Sequence, residues 1–309
     1  LQQKGFSWLD CERCPEFVSD ALRKKFNYSV FSARTGNIYT TKALLQWVTW
    51  SLGHSPVPDE TWDNSGRIYD PFRPAIEPGG FASVTEMLNS RRRTLDAFAR
   101  SIRDASVFVF TLGLTESWEN KVRGYAYATC PGTNAGEFDA EKHVFRNYTS
   151  AQVQADLESA LEMMRELNPG IRIILTVSPV PLTATADDKH IIVATTYSKS
   201  VLRAVAGAIS DARNEVDYFP SYEIITSPNF RGMFYNPNMR TVSNHGVNFV
   251  MDHFMAGISA EKKSELTSPT SAHSKGKELV MSKKEVVPTE KNAEDLKCED
   301  EILEVFKPR

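Results

Sequence analysis

Asp187-Asp188-Lys189-His190 is the sole Asp-x-x-His in the chain. A carboxylate that binds one ring nitrogen of an imidazole fixes its tautomer and leaves the other nitrogen to take a proton. His190 is therefore a candidate general base and Asp187 its orienter; the plainer reading is a surface histidine. His143, in Glu137-Phe-Asp-Ala-Glu-Lys-His143, is a second candidate base. Thr115 and Glu116 follow the strand-like stretch of residues 105–112 and Gly113. If that run is a parallel strand, they lie at its carboxyl end, where open α/β sheets bind ligands. The alternative is a core strand followed by an ordinary loop. Arg34 and Lys199 could hold an anionic substrate group, or they could find partners within the fold. Cys11-x-x-Cys14 has no second CxxC or CxxH to complete a zinc set, and no carboxylate–histidine cluster has ligand spacing. No metal and no other cofactor are expected.

The elements that must position these residues can be read from periodicity. Residues 107–110 are apolar without a break, which suits a strand covered on both faces. Residues 171–177 form a second strand and 216–219 a third. Helices are expected over 15–26, from Thr40 or Thr41 to about Leu52, over 83–104, around Val153, Leu157, Ala160, Leu161 and Met164 up to the stop at Asn168-Pro169-Gly170, over 196–213 and over 242–255. A short strand is expected at 28–31. Residues 54–82, rich in Pro, Gly and Asp, read as an ordered surface excursion. The stretch 117–150 reads as loop-rich, and Arg91-Arg92-Arg93 as the wet side of its helix. Strands alternating with helices of this length specify an α/β fold with a parallel sheet and helices on both faces.

The chain has 309 residues, 41% of them hydrophobic, with a net charge of −3. That is enough apolar material for a large core, and the charge gives no reason to expect nucleic acid as a partner. No run of roughly 18 apolar residues could span a membrane. Four unevenly spaced cysteines fit a reducing, cytoplasmic setting. The domain is expected over residues 1–256. From Gly257 on, Ser, Lys, Glu and Thr dominate, so 257–309 is expected to be a disordered charged tail, with 296–306 a candidate transient helix or docking peptide. Residues 1–6 read like the last turn of a helix ended by Gly5, so further chain is expected upstream.

Six blocks in order then carry a resemblance: Phe31-Ser-Ala-Arg-Thr-Gly-Asn-Ile-Tyr39, Asp70-Pro-Phe-Arg73, Phe110-Thr-Leu-Gly-Leu-Thr-Glu116, Val177-Ser-Pro-Val-Pro-Leu182, Tyr197-Ser-Lys-Ser-Val-Leu-Arg203 and Tyr218-Phe-Pro-Ser-Tyr-Glu223. Together they resemble the GSCFA family, which is grouped with the SGNH (GDSL-like) hydrolases. The resemblance implies a flavodoxin-like, three-layer α/β/α fold. It also implies a serine ester hydrolase or acyltransferase, acting on a small-molecule or glycan ester. In that plan a neutral hydroxyl is activated by a base and fixed donors hold the oxyanion. Gly36 and Asn37 fit the second block of the plan, an oxyanion-hole turn, and Thr115 and Glu116 fit the third, where Thr115 can donate one bond and an ionised Glu116 can only orient another group. The nucleophilic serine belongs to a Gly-Ser-Cys-Phe-Ala block after the first strand. No such block is present, so the first strand and the nucleophile are expected ahead of Leu1. Where the plan has a late Asp-x-x-His, this chain reads Asn238-Met-Arg-Thr241. The rival reading is therefore a non-catalytic carbohydrate- or protein-binding module. The oligomeric state stays open.

Overall fold

The computed structural model describes residues 7–264. The compact units divide between Glu223 and Ile224. In the first unit the elements are α1 (Asp20–Lys25), α2 (Thr41–Ser51), β1 (Trp62–Asn64), β2 (Arg67–Tyr69), α3 (Val84–Asp104), β3 (Val107–Leu112), β4 (Glu116–Asn120), β5 (Ala126–Tyr127), β6 (His143–Asn147), α4 (Ser150–Leu167), β7 (Arg172–Val177), α5 (Ile191–Ala212) and β8 (Val216–Tyr218). Helix α6 (Ser221–Thr226) spans the boundary, and α7 (Asn244–Ser264) belongs to the second unit.

Strands β3, β7 and β8 form a parallel sheet in that order, with Phe110 opposite Leu175 and Leu175 opposite Tyr218. Helices flank the sheet, so the fold is mixed α/β, in keeping with a three-layer α/β/α arrangement. Periodicity located these strands correctly, but β3 is not covered on both faces among the described residues. It is an edge strand of this sheet, and Val107 and Val109 are 49% and 43% exposed while Phe110 and Leu112 are buried.

The expected helices α2, α3 and α4 form where their apolar spacing placed them. The Thr40 side chain caps α2 and the Ser83 side chain caps α3. Thr149 forms a full capping box with Gln152 at the start of α4. Replacing Thr149 with Ala should cost about 1 kcal/mol, read as a lower denaturant midpoint at unchanged m-value. Helix α2 packs on α4, and Trp47 stands edge-on to Trp50 and Phe98 at 6.3 and 6.1 Å. These tryptophans are core, as their helical spacing implies.

Other expectations fail for identifiable reasons. The helix over 15–26 shrinks to α1, which buries none of its side chains; Phe17 is 90% exposed. No strand forms at 28–31, because Asn27 and Ser29 take left-handed φ values of 55° and 60°. Helix α5 starts earlier than expected, at Ile191. The stretch 117–150 carries an antiparallel sheet of order β5-β4-β6. The excursion 54–82 hides a hairpin, β1–β2, whose Ser65-Gly66 turn has φ of 53° and 78°, as a two-residue primed turn requires. Nor is that excursion a surface feature: Trp62, Phe72 and Ile76 are buried, with Phe72 4.7 Å from Trp50.

The largest correction concerns Arg91, which does not lie on the wet side of α3. It is 2% exposed, and its Nη2 donates to Asp70 Oδ1 at 2.8 Å. Asp70, 1% exposed, also accepts from Arg73 Nε at 2.8 Å. Arg73 goes on to Ser90 and Thr94 of α3, and Thr94 donates to Glu12 at 3.0 Å. One buried carboxylate thus pins the excursion to the long helix.

In the second unit Phe234 stacks on Phe249 at 4.8 Å, and the Phe230 ring lies tilted 4.9 Å from Phe234. Helix α7 runs on through Gly257 to Ser264. The rest of the expected tail, the candidate peptide at 296–306 and residues 1–6 lie outside the described residues.

Candidate functional site

The carboxyl end of β3 is shaped by Gly113. A Cβ there would sit 3.0 Å from both the backbone oxygen and the ring Cδ1 of Tyr39. Glycine permits that approach. The N–H groups of Gly113 and Leu114 then both donate to Tyr39 O, at 2.9 and 3.1 Å. This clamp fastens the loop of residues 36–39 onto the strand end. Within the loop Gly36 has a left-handed φ of 67°, and the Asn37 amide donates to the Tyr39 hydroxyl at 2.8 Å. The backbone N–H groups of Gly36 and Asn37 have no hydrogen-bond partner among the described residues. Two segments that the sequence offered separately therefore meet at one rim.

Beyond the glycine, Thr115 is fully buried. Its N–H donates to Ser198 Oγ of α5 at 3.0 Å, and its Oγ1 donates to Asn147 Oδ1 of β6 at 2.7 Å. The Asn147 amide in turn reaches Asp187 Oδ2 at 3.5 Å. Asn147 also stands opposite Glu116 in the β4–β6 register. Glu116 accepts from Thr185 Oγ1 at 2.8 Å, and Lys199 of α5 donates to Gly113 O at 2.6 Å. Thr115, Glu116 and Asp187 are thus joined in one polar cluster at the end of the sheet. Asn147, Thr185 and Ser198 were missed in the sequence, where nothing local ties residue 115 to a position 32 residues on.

The electrostatics of the cluster separate its two carboxylates. Burial raises the Glu116 carboxyl above its ordinary value; the Thr185 hydrogen bond works the other way, and Asp187 adds to the rise. Asp187 is held below its ordinary value, first by its hydrogen bond from Lys189, which lies 2.6 Å away.

The expected Asp187–His190 pair is not formed. His190 is the N-cap of α5, and its Nδ1 accepts from Ile192 N at 3.3 Å. The helix needs an acceptor for a free N–H at this end, and the imidazole supplies it. His143 is buried in β6, away from this cluster, beside the Tyr127 and Phe138 rings. Its Nδ1 accepts from Asp139 N at 3.0 Å, and burial lowers its affinity for a proton. Arg34 is buried too. It bonds Phe26 O, Ile76 O and Glu77, so its partners are internal. Asn238 accepts from Arg240 N and Thr241 N, both at 3.0 Å, and donates to Thr241 Oγ1 at 3.1 Å, which closes that turn on itself.

Among the described residues no group of three or more His, Cys, Asp or Glu side chains is placed to hold a metal ion. Cys11, Cys14 and Cys130 are unpaired thiols. No described helix is long and apolar enough to cross a membrane.

Fold and site define an α/β protein with a polar cluster built at the carboxyl end of a parallel strand. The chain belongs to the GSCFA family, whose model matches residues 16–254. No curated protein and no solved structure matches it.

Proposed function

We propose that the rim at the end of β3 is an acyl-ester site, and that the protein acts as an SGNH-like serine ester hydrolase or acyltransferase on a small-molecule or glycan ester. The observation that carries this reading is the Tyr39 clamp. It holds the Gly36–Asn37 turn, with two unengaged N–H groups, against the strand end that bears Thr115. Paired, fixed donors are what a developing oxyanion requires. Thr115, with both its donors spent inside the protein, supports the rim, and Arg34 contributes through its internal bonds. The nucleophile in this reading is the serine of a Gly-Ser-Cys-Phe-Ala segment, which the 309 residues do not contain.

The test uses protein that carries such a segment ahead of Leu1. A fluorophosphonate probe should label it, acetate should be released from acetylated esters, and alanine in place of that serine should abolish both. Turnover that survives the alanine replacement would discard the serine mechanism.

A second reading, a non-catalytic carbohydrate- or protein-binding module, is favoured by the closed Asn238–Thr241 turn. It predicts no labelling together with saturable binding of an acylated glycan.

A further inference from the structure

Acyl transfer needs a group that takes the proton of the attacking hydroxyl, and neither candidate histidine is set up for it. In each, Nδ1 already accepts a backbone N–H, so the neutral ring carries its proton on Nε2 and offers no free lone pair. Asp187 is already engaged by Lys189 and Asn147.

Glu116 is placed differently. It is 8% exposed, at the start of β4, directly after the clamped turn. Thr185 holds Oε1, while no described residue hydrogen-bonds Oε2. One oxygen is fixed and the other is available. Resting on the acyl-ester reading, we propose that Glu116 is the proton acceptor and donor of this rim.

The step balances. As the hydroxyl oxygen bonds to the acyl carbon, its proton passes to Glu116 Oε2. As the carbon–oxygen bond to the leaving alcohol breaks, that proton passes to the departing oxygen, and Glu116 returns to carboxylate. The charged groups that act on it are Asp187 and Lys189 of the 183–190 loop; Lys199 of α5 is bonded to Gly113 O, and Asn147 stands opposite it in the β4–β6 register as a neutral residue. Burial raises its proton affinity toward the range where a base works well.

The experiment is the pH dependence of kcat/KM for acetyl-ester hydrolysis in three proteins: unsubstituted, Glu116→Gln and Thr185→Val, each with the upstream segment. The unsubstituted protein should lose activity on the acid side as Glu116 protonates, with the limb above the ordinary glutamate value of about 4.3. Glu116→Gln should lower kcat/KM by about 100-fold or more, leave KM within about twofold and abolish that limb. Thr185→Val removes a hydrogen bond that favours the carboxylate, so the limb should move to higher pH. A purely structural role would not move the limb. An unmoved limb in Thr185→Val, or turnover kept by Glu116→Gln, overturns the inference alone. No turnover in the unsubstituted protein overturns the acyl-ester reading, and this inference with it.

Discussion

Asp70→Asn should cost about 3–5 kcal/mol, the usual loss when one partner is removed from a buried ion pair. The asparagine would leave two buried guanidinium groups, Arg73 and Arg91, without their counter-charge. For a chain of this size the melting temperature should fall by roughly 6–20 °C, measured by calorimetry. The same carboxylate makes a pH prediction. Burial alone would raise its proton affinity, but Arg91 and then Arg73 more than offset that, so the folded value is depressed. Its stabilising contribution is therefore complete above the unfolded aspartate value, about 3.9, and is lost as pH falls through the lower folded value. Asp70→Asn should remove that part of the acid-side loss. Pairing it with Arg91→Met should recover part of the stability, because the stranded charge goes too. If Asp70→Asn melts like the parent, the cluster does not hold the excursion to α3.

Gly113→Ala should separate the halves of the rim. Gly113 has no left-handed φ, so the effect is one of space alone. The new methyl would meet Tyr39 at 3.0 Å on its backbone oxygen and 3.2 Å on its Cα, atoms that cannot swing aside as a side chain can. Forced overpacking of this kind costs about 1–3 kcal/mol. It must also lengthen the hydrogen bonds from Gly113 N and Leu114 N to Tyr39 O. If the rim is the acyl site, a displacement of about 1 Å between its donors and the strand end should cost about 100-fold in the rate of fluorophosphonate labelling. Gly79→Ala, where a Cβ meets nothing within 4 Å, is the control and should change neither melting nor labelling. A labelling rate unaffected by Gly113→Ala would place the chemistry elsewhere.

The sequence by itself determined the elements whose signal is local. Helices α2, α3 and α4 carry their caps and their apolar spacing within a few turns, and β3, β7 and β8 carry theirs in short apolar runs. The glycines at 36 and 113 and the polar pair after the strand were visible in the same way, as was the family. Only the tertiary structure decided what those pieces were for. Arg91 looks like any surface arginine until Asp70, 21 positions away, neutralises it inside the protein. Thr115 reaches Asp187 through Asn147, which lies on a strand that periodicity did not reveal. His190 pairs with Asp187 on paper, yet a free N–H at the start of α5 claims its acceptor nitrogen first. The physical reason is common to all three. Local spacing records which side of an element is dry, whereas the partner of a charge or a hydrogen-bonding group is fixed by contacts between segments far apart in the chain.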